Sequence, residues 1–165
     1  MKKITFLALL SVLTLSSIAQ NKFGFINANE IVSLMPEYKK AGDDIANFAK
    51  SLEAQLGSMT AEFQQMQQEF QNNEETYNDL VKQDKQTEIE GLYNRIQDFQ
   101  QNAQQSVKAK EQELLIPITE KAKKAIDDVA TEGNYTYIFD SSYGTILYAK
   151  EGENVIDLVK KKLGL

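Results

Sequence analysis

The side chains best able to do chemistry in this chain are carboxylates, and several stand in adjacent pairs: Asp43-Asp44, Glu74-Glu75 and Asp127-Asp128. Two carboxylates share acid and base work only when they flank one substrate atom. On a helix, neighbours point about 100° apart, so each pair diverges and reads as solvated surface. The 165 residues include no His and no Cys, which removes the imidazole base, the thiolate nucleophile and the softer metal ligands. The eight glycines are scattered, and none belongs to a phosphate-cradling loop. Asn134-Tyr135-Thr136 fits a glycosylation acceptor, a tripeptide common by chance. This inventory argues against an enzyme, with no catalytic residues, no cofactor and no metal expected.

The elements that carry these carboxylates are two long helices. Ile45, Phe48, Leu52, Leu56, Met59, Phe63, Met66, Phe70, Tyr77 and Leu80 recur at three- and four-residue spacing over most of their length. Ile89, Leu92, Ile96, Phe99, Ala103, Val107, Leu114, Ile118, Ala122, Ile126 and Val129 form a second stripe. Such a narrow stripe is a coiled-coil seam, here expected to centre on Leu56, Met59, Phe63, Met66, Phe70, Ile96 and Phe99. The polar break at Gln83 to Thr87 is too short to do more than reverse the chain. The first helix is therefore expected from Pro36 to about Lys82, roughly 70 Å at 1.5 Å per residue, and the second from about Lys85 to Thr131. The four-then-four step Phe48-Leu52-Leu56 is a stutter, Gly57 and Gly91 weaken their helices, and Pro117 should kink the return helix. The glutamines from Gln64 to Gln71 and from Gln97 to Gln105 supply a weakly charged, hydrogen-bonding surface on the arm.

Both ends of the chain read as a small α/β base. Lys22 to Asn27 is strand-like, with Phe23 and Phe25 on one face and Ile26 on the other. Asn29 is expected to cap a short helix holding Ile31, Val32 and Leu34, and Pro36 suits the first turn of the long helix. Gly133 should supply a left-handed C-cap. Tyr135 to Asp140 and Thr145 to Ala149 read as strands around a turn at Ser141 to Gly144, and Asn154 caps a last helix ending in Lys160, Lys161 and Lys162. The fold class is α+β, mostly α: a base of residues 20–35 and 132–165 with a hairpin arm of 36–131 inserted. Three short strands and one short helix cannot make a stable core alone, so self-association is expected. Its interface would use Phe23, Phe25, Ile26, Ile138, Phe139, Ile146 and Tyr148.

Lys2 and Lys3, the apolar stretch Ile4 to Leu15 and Ser17-Ile18-Ala19 make residues 1–19 a secretory signal, cut before Gln20. Without the two signal lysines, 16 basic residues face 24 acidic ones, a net charge of −8. That balance argues against nucleic acid as a partner, and the lack of a second apolar span argues against stable membrane insertion.

Taken in order, Phe23-Gly24-Phe25-Ile26-Asn27, Met35-Pro36-Glu37-Tyr38-Lys39-Lys40, the polar hairpin, Leu114-Leu115-Ile116-Pro117-Ile118, Gly133-Asn134-Tyr135 and Tyr137-Ile138-Phe139-Asp140 resemble the OmpH/Skp family of periplasmic chaperones. The resemblance implies a homotrimer with a β-barrel-like body and three arms around a cavity. It also implies an ATP-independent holdase in the periplasm whose clients are unfolded outer-membrane proteins. The best-known family member is basic with Lys-rich arm tips, whereas here only Lys82 and Lys85 fall at the expected tip. Client contacts would then come from apolar and hydrogen-bonding groups on the arm flanks, Tyr93 among them. The competing reading is a structural or adaptor coiled coil of the cell envelope that binds no client.

Overall fold

The computed structural model describes residues 21–150 and 152–165. The expected signal segment, residues 1–19, and its cut before Gln20 lie outside them. The described chain runs through strand β1 (Phe23–Ile26), helix α1 (Ala28–Leu34), helix α2 (Pro36–Asn73), helix α3 (Asp79–Glu132), strand β2 (Tyr137–Asp140) and helix α4 (Ile156–Leu163).

The chain enters the arm through a short break forced by Pro36. The residue before a proline avoids the helical region, and Met35 accordingly sits at φ −72°, ψ 130°. Pro36 then opens α2 where its missing N–H is not needed. The cap of α1 is Asn27, not the expected Asn29: its side chain accepts from the Glu30 N–H at 3.0 Å. Strand β1 ends one residue earlier than the helix signal suggested, which leaves Asn27 as the first residue able to cap.

The arm turns at Glu74 to Asn78, not at Gln83 to Thr87. Asn73 ends α2, its carbonyl accepting from the N–H and the hydroxyl of Thr76, at 2.9 and 2.7 Å. Asn78 starts α3 by accepting from the Val81 N–H at 3.0 Å. Residues 83–87 hold no Gly, Pro or Asn, and all are compatible with a helix. The shift changes the register of the arm, so Phe63 meets Tyr93, with ring centroids 5.9 Å apart. It also changes the tip. Lys82 and Lys85 lie inside α3, Lys85 paired with Glu88 at 3.0 Å, while Glu74 and Glu75 stand in the turn itself and Asp79 directly after it.

The two helices differ in length, 38 and 54 residues, or about 57 and 81 Å. The excess of α3 extends into the base. There Ile118, Ala122, Ala125 and Val129 pack with Ile26, Ile31, Met35, Ala41, Val155 and Val159 in one core. α3 continues through Pro117 as one helix. Pro117 and Glu113 are both exposed, so the Glu113 carbonyl that lacks an N–H partner faces water.

Strand β1 is paired on both edges. β2 lies parallel to it, with Phe23 opposite Tyr137 and Ile26 opposite Asp140. On the other edge the Phe25 N–H donates to the Glu153 carbonyl at 2.9 Å, and the Val155 N–H donates to the Phe25 carbonyl at 3.0 Å. The expected strand Thr145 to Ala149 does not form. After β2 the chain folds into a local turn and does not double back onto the outer edge of β2, which stays unpaired among the described residues of the subunit. In that turn the Ser142 N–H donates to the Asp140 carboxylate at 2.8 Å, and its hydroxyl at 2.6 Å.

The C-terminus of α3 also departs from expectation. Gly133 is right-handed (φ −87°), and the left-handed residue is Asn134 (φ 52°). The Tyr135 N–H reaches back to the Ala130 carbonyl and the Asn134 N–H to that of Thr131, a Schellman closure. Glycine at 133 answers a different need: a Cβ there would stand 2.5 Å from the Tyr135 ring.

Candidate functional site

Two surfaces of this molecule are apolar and incompletely covered. The first is the outer face of the sheet. Side chains alternate along a strand, so Gly24, Ile26 and Ile138 turn toward the helices while Phe23, Phe25, Tyr137 and Phe139 share the opposite face. Phe23, Tyr137 and Phe139 cluster with ring centroids 6.0–6.2 Å apart, Tyr137 stacking on both phenylalanines. They remain 44, 60 and 49 % exposed. Beyond β2 the exposed side chains continue through Tyr143, Leu147 and Tyr148, the last two 97 and 86 % exposed.

This divides the residues expected at the oligomer interface. Phe23, Phe25 and Phe139 lie on the open face. Ile26 is 2 % exposed and belongs to the subunit's own core, so it is not available to a second copy. Ile138 is half-buried against that core, Ile146 is half-buried, and Tyr148 is exposed on an irregular segment. Tyr137 shares the open face with them and was not among the expected residues, although its alternation with Phe139 was the signal.

The base holds this face in place by polar ties at its margins. Lys22 donates to the Gly133 carbonyl at 2.8 Å and lies 4.0 Å over the Tyr135 ring. Burial pushes the Asp140 carboxyl up, but hydrogen bonds from the Ser142 hydroxyl and N–H and from the Ala28 N–H outweigh it and hold the group below its ordinary value. At the root of the arm, the Lys121 ammonium donates to Glu37 and keeps that carboxyl below its usual range. Lys162 donates to Glu132, which ties α4 to α3 and raises the lysine above its usual value.

The second surface is the arm. A pair of helices can cover only one side of each stripe. Leu56, Met59, Phe63, Met66, Phe70 and Phe99 are accordingly half-buried, while Ile96 and its neighbour Leu92 are buried. Tyr93 stays half exposed beside the seam, leaning on Phe63. Between Ala41 and Leu92 no side chain of the arm is fully buried. Midway along the arm the helices leave an apolar cleft of about 800 Å³ floored by Ala49, Leu52, Leu56, Ala103 and Val107. A smaller one of about 340 Å³, lined by Phe70, Ile89 and Tyr93 with glutamines around them, lies nearer the tip.

Among the described residues, no group of three or more Asp or Glu side chains is placed to hold a metal ion. Nor, among them, is any helix long and apolar enough to cross a membrane. An insufficient base bearing a two-helix arm is thus the frame of the molecule, and its uncovered apolar surfaces are what it has to work with.

That frame has counterparts. The sequence matches the family described as outer membrane protein (OmpH-like) over residues 22–163, so the chain belongs to the OmpH-like family. Its fold is shared with a crystal structure from Caulobacter crescentus described as OmpH-like. The two superpose with a TM-score of 0.77 over 88 % of this chain and 85 % of the other, at 15 % sequence identity. No curated protein matches the sequence. This chain shares with that structure a long helical hairpin on a small β base.

Proposed function

We propose that this protein is an exported, periplasmic holdase: a homotrimer that shields unfolded outer-membrane proteins between its three arms without nucleotide. The observation that carries this reading is the half-covered apolar stripe of the arm, lined by hydrogen-bonding glutamines and offering no deep pocket. An unfolded chain has no fixed shape to recognise. It is best held by many weak, adaptable contacts, and holding it lowers the concentration of the species that aggregates. The aromatic sheet face of Phe23, Tyr137 and Phe139 supports assembly through the base, because a second copy is the covering surface that a short sheet lacks. Membership of the OmpH-like family supports the same assignment. The competing reading, an envelope spacer, predicts an assembled protein indifferent to unfolded chains. Diluting a denatured outer-membrane barrel protein into buffer with one equivalent of trimer and no nucleotide separates them. Suppressed light scattering is expected; full aggregation in the presence of intact trimer would favour the spacer.

A further inference from the structure

The charge of this chain is confined to one part of it. Ala41 and Ile118 are the members of the base core farthest out along the two arm helices. Residues 41–116, beyond them, carry fourteen acidic and six basic side chains, a net charge of −8. The remaining residues from Asn21 onward carry ten of each and are neutral as a set. The excess lies outward. From Glu62 to Asp98 nine acidic residues face only Lys82, Lys85 and Arg95. Glu62, Glu69, Glu74, Glu75, Asp79 and Glu90 are exposed and form no salt bridge among the described residues.

We propose that repulsion between these arms sets how far the assembled protein opens, so that ionic strength controls the width of the space between them. This rests on the trimeric reading above. A neutral base with an aromatic face can bring three copies together without electrostatic penalty, and that closeness places three arms of −8 side by side. The screening length is about 30 Å at 10 mM salt and about 8 Å at 0.15 M. At low salt each arm therefore senses its neighbours across a client-sized gap; at physiological salt it senses them only near contact. The arm has a place to yield. Between the base core and Leu92 its seam is only half-buried, and the cleft floored by Ala49, Leu52 and Val107 opens midway along the arm. Opening there changes the space offered to a client while the base core stays intact.

Small-angle scattering of the mature chain at 10 and 150 mM NaCl, with mass measured by light scattering on the same samples, tests this. At constant trimer mass, the radius of gyration should be larger at 10 mM than at 150 mM NaCl, because the screening length falls from about 30 Å to about 8 Å. The variant E62Q/E69Q/E74Q/E75Q/E90Q removes five charges per arm, keeps good helix formers and should lose most of the response. A trimer of constant size at both salts, or a variant that responds like the parent, would overturn the proposal alone. A monomeric mass would overturn it together with the trimeric reading.

Discussion

Replacing Phe139 by Ser asks directly whether the aromatic face is the assembly surface. Phe139 is 49 % exposed in the single subunit. A side chain of this kind buries about 150–250 Å² when fully covered, so roughly 100 Å² of Phe139 is left for a partner to cover. At about 25 cal/mol per Å², that is ~2.5 kcal/mol per subunit and ~7 kcal/mol for a trimer in which all three copies lose it. For a three-body equilibrium, ~7 kcal/mol moves the midpoint of association upward by ~10²–10³-fold in protein concentration. Sedimentation equilibrium over a concentration series reads this shift. The subunit itself should keep its helical circular dichroism, because Phe139 lies outside the core. Ile26→Ser is the necessary contrast: it places a hydroxyl in a site only 2 % exposed and should unfold the base itself. An unchanged association midpoint for Phe139→Ser, with the fold intact, would refute the assignment of this face.

Three further outcomes follow from the same geometry. Leu92→Ala should cost about 2–5 kcal/mol locally, because Leu92 is one of the few fully buried seam residues; hydrogen exchange should speed up in the arm and leave the base unchanged. Gly133→Ala drives a Cβ to 2.5 Å from the Tyr135 ring and should destabilise by about 1–3 kcal/mol, whereas Gly57→Ala meets nothing within 4 Å and should stabilise by up to about 1 kcal/mol in thermal unfolding. Glu37 and Asp140 are both held below their ordinary carboxyl values, so their contribution is present above the usual carboxylate range and lost as pH falls through the depressed folded values. Glu37→Gln should therefore flatten part of the acid limb of the stability profile; an identical acid limb would show that the Lys121 contact contributes nothing.

The arm was legible because a seam repeats over dozens of residues, and a few irregular steps do not hide its period. Its turn was not, since polarity is a poor marker where most of the helix surface is already polar. The informative residues were Asn73 and Asn78, whose side chains and carbonyls satisfy the helix ends, and Thr76 between them. Tyr77 and Leu80 read as a continuing stripe, yet Tyr77 folds back on Phe70 with centroids 6.3 Å apart, and Leu80 is 69 % exposed. In the base, propensity picked out Thr145 to Ala149 as a strand. Glu153 to Val155 took the second edge of β1, and Thr145 to Ala149 leaves the outer edge of β2 unpaired among the described residues of the subunit, so composition alone did not make a strand. The face of Phe23 and Phe25 followed from alternation; the burial of Ile26 did as well, but it is buried in a core built from the chain's own distant helices, which no local pattern could name.

One shortage accounts for both working surfaces. Two helices can shield only part of each other, so the seam residues from Leu56 to Phe70 stay half-buried whatever their chemistry. A sheet of two strands and one bridged segment has core on one face and nothing on the other, so Phe23, Tyr137 and Phe139 stay open. The two deficits differ in how they can be met. The sheet face is rigid, aromatic and backed by a packed core and a neutral base, which suits a fixed partner of matching shape such as another copy of the chain. The arm is long, acidic and adaptable in its Met and Gln side chains, which suits a partner that has no shape to match. If the Phe139 and acidic-arm variants separate assembly from opening as argued, the division between these two surfaces is the mechanism of the molecule.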